Sequence, residues 1–180
     1  MATCRALVAD VEPLSITQQE EVIAEVVRYQ DKVAAEFDLG VPIIRVRFDL
    51  IGGTVGMYSN KRNERSLRFN SYLFSKFWHE NFTNTIPHEV AHYASDLLFD
   101  YRRIRPHGRE WQAIMRFFGA EPSRTCEFDL SGIPRRSMRR FNYYCKCDTH
   151  QLSAIRHNRV ERGQQRYVCR RCQSELVALA

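Results

Sequence analysis

An α+β fold is predicted for residues 1–136, followed by a small cysteine-rich module at 137–180. Three observations predict it. A long amphipathic helix pattern leads the chain, with Val22, Ile23, Val26, Val27, Val33, Ala34 and Phe37 at helical spacing. A stretch of strict alternation and two shorter apolar runs then give a small antiparallel sheet. Further helical patterns follow before the paired cysteines begin. The length of 180 residues suits one domain plus a module, and 44% hydrophobic content with 11 Phe and 8 Tyr supplies a core.

Residues 1–15 read as an irregular lead. Thr17-Gln18-Gln19-Glu20 has the capping-box pattern for the first helix, which Gly40 can end, with Pro42 just beyond. Ile44, Val46, Phe48 and Leu50 alternate with Arg45, Arg47 and Asp49, as in a half-buried strand, and Gly52-Gly53 breaks it. Strands around 54–58 and 66–70 flank the polar stretch 59–65, a hairpin. Residues 72–79 form a short amphipathic helix with Tyr72, Phe74, Phe77 and Trp78 turned to the core. A sheet edge placed near a cleft could hold an extended peptide by backbone hydrogen bonds.

The next helix, 85–99, carries His88-Glu89-Val90-Ala91-His92. Asn84 or Thr85 can cap it, and Pro87 falls in the first turn, where its missing N–H costs nothing. Two histidines four apart meet on one helix face, the spacing for two neutral imidazoles on one zinc ion. Glu89 lies between them as general base, since zinc brings the pKa of its water to about 7. The bland alternative is a pair of surface histidines on an ordinary helix. A catalytic zinc needs a third protein ligand. A metzincin pattern would put Gly and His where Ser95 and Leu98 stand, so it does not apply. His107, between Pro106 and Gly108, is the favoured third ligand, and Glu110 and Glu121 are the fallbacks. Trp111, Ile114, Met115 and Phe118 form the stripe of the helix after it, ended by Gly119 and Pro122. The whole domain is therefore expected to be zincin-like.

Cys145-x-Cys147 and Cys169-x-x-Cys172 are two close pairs about 20 residues apart, the spacing of a structural Cys4 zinc ribbon. The first pair is one residue short, so His150 or His157 could replace one thiolate. Four unligated thiols are the alternative, but the tail is too short and polar to fold on core burial. Cys4 and Cys126 have no partners at ligand spacing and read as lone thiols.

The charge is uneven. From Pro134 onward there are 11 Lys and Arg against 3 Asp and Glu, while the first 133 residues carry 16 and 18. The net +6 of the chain thus belongs to its tail, which points to a polyanion partner. Arg135, Arg136, Arg139, Arg140, Arg156, Arg159, Arg170 and Arg171 are candidates for phosphate contacts, interleaved with Phe141, Tyr143, Tyr144 and Tyr167. A solvated basic tail is the plainer account. No run reaches the roughly 18 apolar residues of a membrane helix, and the first ten residues lack a signal-peptide core. Six Cys without an export signal favour metal ligands, so a cytoplasmic monomer without membrane attachment is expected.

The motif set His88-Glu-Val-Ala-His92, Pro106-His107-Gly108-x-x-Trp111 and Tyr143-x-Cys145-x-Cys147 continues with His150-Gln-Leu, Arg156-His157-Asn158-Arg159-Val160 and Tyr167-x-Cys169-x-x-Cys172. Together they resemble the bacterial SprT family over nearly the whole chain. The resemblance extends to the eukaryotic Spartan proteases, which degrade proteins crosslinked to DNA. It implies a zinc metalloprotease with His88, His92 and His107 as ligands and Glu89 as catalytic residue. Taken with the cysteine spacing and the basic tail, the expectation is one catalytic and one structural zinc, protein substrates and DNA as a partner. The rival from another class is a non-catalytic nucleic-acid-binding or regulatory module, and a zinc hydrolase of non-peptide amides is a third.

Overall fold

Ser15 starts the first helix, α1 (Ile16–Phe37): its hydroxyl accepts the Gln18 N–H, while the Gln18 side chain accepts the Ser15 N–H. The capping box therefore sits two residues before the expected Thr17. The helix stops at Phe37, where Asp38 turns left-handed at φ 45°, earlier than Gly40. The computed structural model describes residues 11–61, 64–99, 103–123, 127–135 and 139–178. The chain divides into two units, Met1–Arg135 and Arg136–Ala180. No helix among the described residues is long and apolar enough to cross a membrane.

In the first unit, β1 (Arg45–Arg47), β2 (Gly56–Lys61) and β3 (Glu64–Phe69) form one sheet in the order β1-β3-β2. The sheet is mixed rather than antiparallel. β2 pairs with β3 antiparallel, but β1 pairs with β3 parallel, Val46 opposite Leu67. After β1 the chain crosses to the far edge and only then hairpins back, so the last strand lies in the middle. Alternation within β1 reveals a buried face but not its partner. The hairpin strands also run through most of the polar stretch 59–65, whose tip at 62–63 lies outside the described residues.

Asn70 caps α2 (Ser71–Lys76), its side chain accepting the N–H groups of Tyr72 and Leu73. A short α3 (Trp78–Glu80) passes into one π-helical turn (Asn81–Thr85) and then α4 (Ile86–Phe99). Neither Asn84 nor Thr85 caps α4, because the helix is entered from that widened turn. Pro87 has no N–H to give and its ring would crowd the carbonyl four residues back, which a wider turn relieves. α5 (Arg109–Phe117) packs beside α4. The core lies between α1, the sheet and these helices: Val22, Val26, Leu67, Phe69, Phe74, Val90 and Trp111 are all at most 1% exposed.

In the second unit, β4 (Arg140–Tyr144) lies between β5 (Thr149–Ser153) and β6 (Val177–Ala178), with α6 (Ala154–Glu161) following β5. Its buried cluster is small: Tyr143, Leu152, Cys169 and Leu176.

Candidate metal centre and cysteine cluster

Three imidazoles converge. Helical spacing on α4 brings His88 and His92 to one face, with ring centroids 5.0 Å apart. His107 arrives from the loop before α5, in a left-handed backbone conformation at φ 56°. Its Nε2 lies 3.0 Å from Nε2 of His92 and 3.1 Å from Nε2 of His88. Trp111 forms the floor: its ring contacts all three imidazoles and its Nε1 donates to the His88 carbonyl at 3.2 Å. Gln112 Nε2 donates to the His107 carbonyl at 3.1 Å. Three nitrogens aimed at one point could hold a metal ion.

Burial lowers the pKa of His88 to about 4, reinforced by His107, with a backbone hydrogen bond at Ser123 opposing it. Burial likewise lowers His92 to about 3, reinforced by His88 and His107. Both are neutral at physiological pH, the form that binds metal. The linkage has a definite sign. Between about 6.5, the ordinary imidazole value, and about 4 the unfolded chain takes up protons that the folded imidazoles refuse. The histidines' contribution to the stability of metal-free protein should therefore be lost as pH falls through that window. Thermal melts of chelator-treated protein between pH 7.5 and 4.5 check this against a His88→Gln variant, which should lose less on acidification; an equal loss would contradict it.

Glu89 is 7% exposed and burial pushes its pKa up to about 7, with the Tyr58 backbone opposing. The Tyr58 N–H donates to Glu89 Oε2 at 2.6 Å. Gly56, two residues earlier on β2, makes room for it: a Cβ there would stand 2.8 Å from Glu89 Oε1 and 2.7 Å from Thr85 Cγ2. Asp96, buried further along α4, accepts from the Tyr58 hydroxyl, from Asn60 Nδ2 at 3.0 Å and from Arg65 Nε at 2.8 Å. Burial alone would raise Asp96, but the Arg65 guanidinium and the Tyr58 hydroxyl bring it below the ordinary carboxylate value. Sequence reasoning missed Gly56, Tyr58 and Asp96. Only the helical seven-residue step from Glu89 to Asp96 hinted that the two carboxylates share a face.

The triad and Glu89 line one opening of about 280 Å³ with Gly56, Met57 and Tyr58. A neighbouring cleft of about 570 Å³ runs along Thr54, Val55, Thr85, His88, Glu89 and Met115. Of the fallback ligands, Glu121 lies on the wall of that cleft and Glu110 pairs with Arg109 at 3.1 Å. Neither belongs to the histidine group. Tyr93 is buried, donating to the Pro42 carbonyl at 2.7 Å, and Arg109 is 94% exposed.

In the second unit Cys145, Cys147, Cys169 and Cys172 gather and could hold a metal ion. Sγ of Cys147 is 3.4 Å from Cys145 and 3.7 Å from Cys169. The Ser174 hydroxyl and backbone lower the Cys172 thiol to about 6, favouring thiolate. The short C-x-C pair thus brings both of its thiols into the cluster. His150 sits just outside it, Nε2 3.2 Å from Cys145 Sγ. His157 is elsewhere: it stacks on Phe141 at 3.6 Å and its Nδ1 meets the Tyr143 hydroxyl at 3.0 Å. Arg135, Arg139, Arg140, Arg156, Arg159, Arg170 and Arg171 are exposed. Arg139 covers the Phe141 ring and Arg156 the Tyr167 ring. Arg136, Cys4 and Cys126 lie outside the described residues.

Comparison with known proteins agrees with the motif set. The SprT-like family model matches residues 24–131. Protein SprT of Shewanella oneidensis is 31% identical over 160 residues, covering 88% of this chain and 98% of its own. Protein SprT of Pseudomonas paraeruginosa is 40% identical over 145 residues, 78% of this chain and 84% of its own. No solved structure matches significantly.

Proposed function

The chain belongs to the SprT-like family, and from that premise we propose that it is a cytoplasmic zinc-dependent metalloprotease acting on DNA-associated or DNA-crosslinked proteins. One observation carries the enzymatic part: three convergent imidazoles share an opening with a buried carboxylate. The donors suit zinc. Zn–N bonds of about 2.0–2.1 Å at tetrahedral angles need nitrogens about 3.3 Å apart, close to the 3.0 and 3.1 Å between these imidazoles. Three protein ligands with one position left over is the arrangement of a catalytic rather than a structural zinc.

His88, His92 and His107 would hold the ion. When bound, zinc supplies a Lewis acid that acidifies water and polarises a carbonyl oxygen. Glu89 takes the proton from the attacking water and delivers it to the leaving amine. Burial suits it to that task, because a carboxylate with a pKa near 7 both accepts and returns a proton at neutral pH. The Tyr58 N–H fixes one carboxylate oxygen and leaves the other for the proton.

A second zinc would sit among Cys145, Cys147, Cys169 and Cys172, where Zn–S bonds of about 2.3 Å require sulfurs about 3.8 Å apart. The exposed arginines of that unit supply phosphate contacts, and DNA held there concentrates the enzyme on proteins bound to the same DNA. Zinc-loaded protein should therefore cleave a DNA-binding protein faster when DNA is present than when it is absent. The stimulation should fall steeply between about 50 and 200 mM salt, as expected for several phosphate contacts. Equal cleavage with and without DNA at low salt would remove the DNA part of the reading.

A further inference from the structure

We propose that Asp96 and Tyr58 are positioning residues for the Glu89 carboxylate. The inference rests on the reading that Glu89 handles the proton, and adds what holds it in place. Glu89 and Asp96 are seven residues apart on α4, two turns of one face, and both are nearly buried at 7% and 6% exposure. β2 runs along that face. Tyr58 touches both carboxylates: its backbone N–H donates to Glu89 Oε2 at 2.6 Å, and its hydroxyl donates to Asp96 Oδ2. Asn60 and Arg65 add two more donors to the same Asp96 oxygen.

The strand needs such an anchor. Among the described residues β2 is the edge of its sheet, paired to β3 on one side only. Its other side faces α4 with no ladder to set the register, so the side-chain bonds to Asp96 fix how far along α4 the Tyr58 amide lies. Gly56 closes the same interface at its other end, letting the backbone approach Glu89. A buried carboxylate with a guanidinium partner adds little net stability compared with apolar packing. What it adds here is registration of a catalytic oxygen, and misplacing a reacting group by about 1 Å can cost on the order of a hundredfold in rate.

The test uses zinc-loaded full-length protein carrying Tyr58→Phe, Asp96→Asn or both. Tyr58→Phe keeps the ring that packs 6.1 Å from Tyr93, so the fold is retained. Each single variant should lose about tenfold in kcat with KM and zinc content unchanged, and the double variant should lose no more than either single one. A readout without activity accompanies it. The amide proton of residue 58 in metal-free protein should resonate far downfield, as the donor of a short charge-assisted bond. It should move upfield in Glu89→Gln and also in Asp96→Asn. Unchanged kcat, losses that multiply in the double variant, or a residue 58 amide unmoved by Asp96→Asn would each overturn the proposal. If cleavage at the wild-type rate survives Glu89→Gln, the reading that Glu89 handles the proton fails instead, and the amide shift alone then decides whether Asp96 and Tyr58 place that carboxylate.

Discussion

Replacing Glu89 with Gln should reduce peptide cleavage by about a hundredfold to ten-thousandfold, the range that a positioned general base contributes. The substitution preserves shape. A glutamine carbonyl can still accept the Tyr58 N–H, and no atom is added against Gly56. The three imidazoles are untouched, so zinc content should not change. Stability separates a lost base from a damaged fold. The folded pKa of Glu89 is raised from 4.5 to about 7, so the stability this one group contributes to the metal-free protein is lost as pH rises through that window, opposite in sign to the contribution of the histidines. Gln stays neutral, and the variant should melt at the same or a higher temperature at pH 8. An inert variant that also melts early would mean a packing defect. If wild type and variant were equally inert toward DNA-bound and free proteins, the non-catalytic binding module would gain.

If the four thiols hold zinc as proposed, removing that ion should unfold the second unit. Its buried cluster holds Tyr143, Leu152, Cys169 and Leu176, far too little apolar surface to order a unit spanning Arg136–Ala180. A structural zinc supplies an apparent binding free energy of about 10–16 kcal/mol at neutral pH. Cys169→Ser removes the most buried of the four thiols, 3% exposed, whose Sγ also accepts the Arg171 N–H at 3.4 Å. Amide resonances of β4, β5 and β6 should collapse to random-coil positions in this variant. The first unit should keep its melting temperature. DNA retention should fall with the loss of the folded arginine surface. Dispersed resonances in metal-free Cys169→Ser would contradict the account.

The parts legible in the sequence were those written in local spacing. His88 and His92 are a helical step apart, and helical geometry alone brings them together. Cys169 and Cys172 flank one turn. His107 was reachable because a Pro and a Gly announced a chain break at the right distance. The illegible parts depend on long-range pairing. Nothing local in Ile44–Leu50 alternation says that β1 lies parallel to β3. Gly56 reads as an ordinary loop glycine until Glu89 is seen against it. Tyr58 and Asp96 are 38 residues apart and meet only because the sheet edge packs along α4. The π-helical turn escaped for another reason: Pro87 looked like a helix start, which it also would be if the chain before it were not already helical.

The most direct test is a metal count on purified protein. Two zinc ions per chain are expected in wild type, one in His107→Ala, and one in a variant lacking the second unit's thiols. Two ions retained in His107→Ala would contradict the three-imidazole centre on which the proposed chemistry depends.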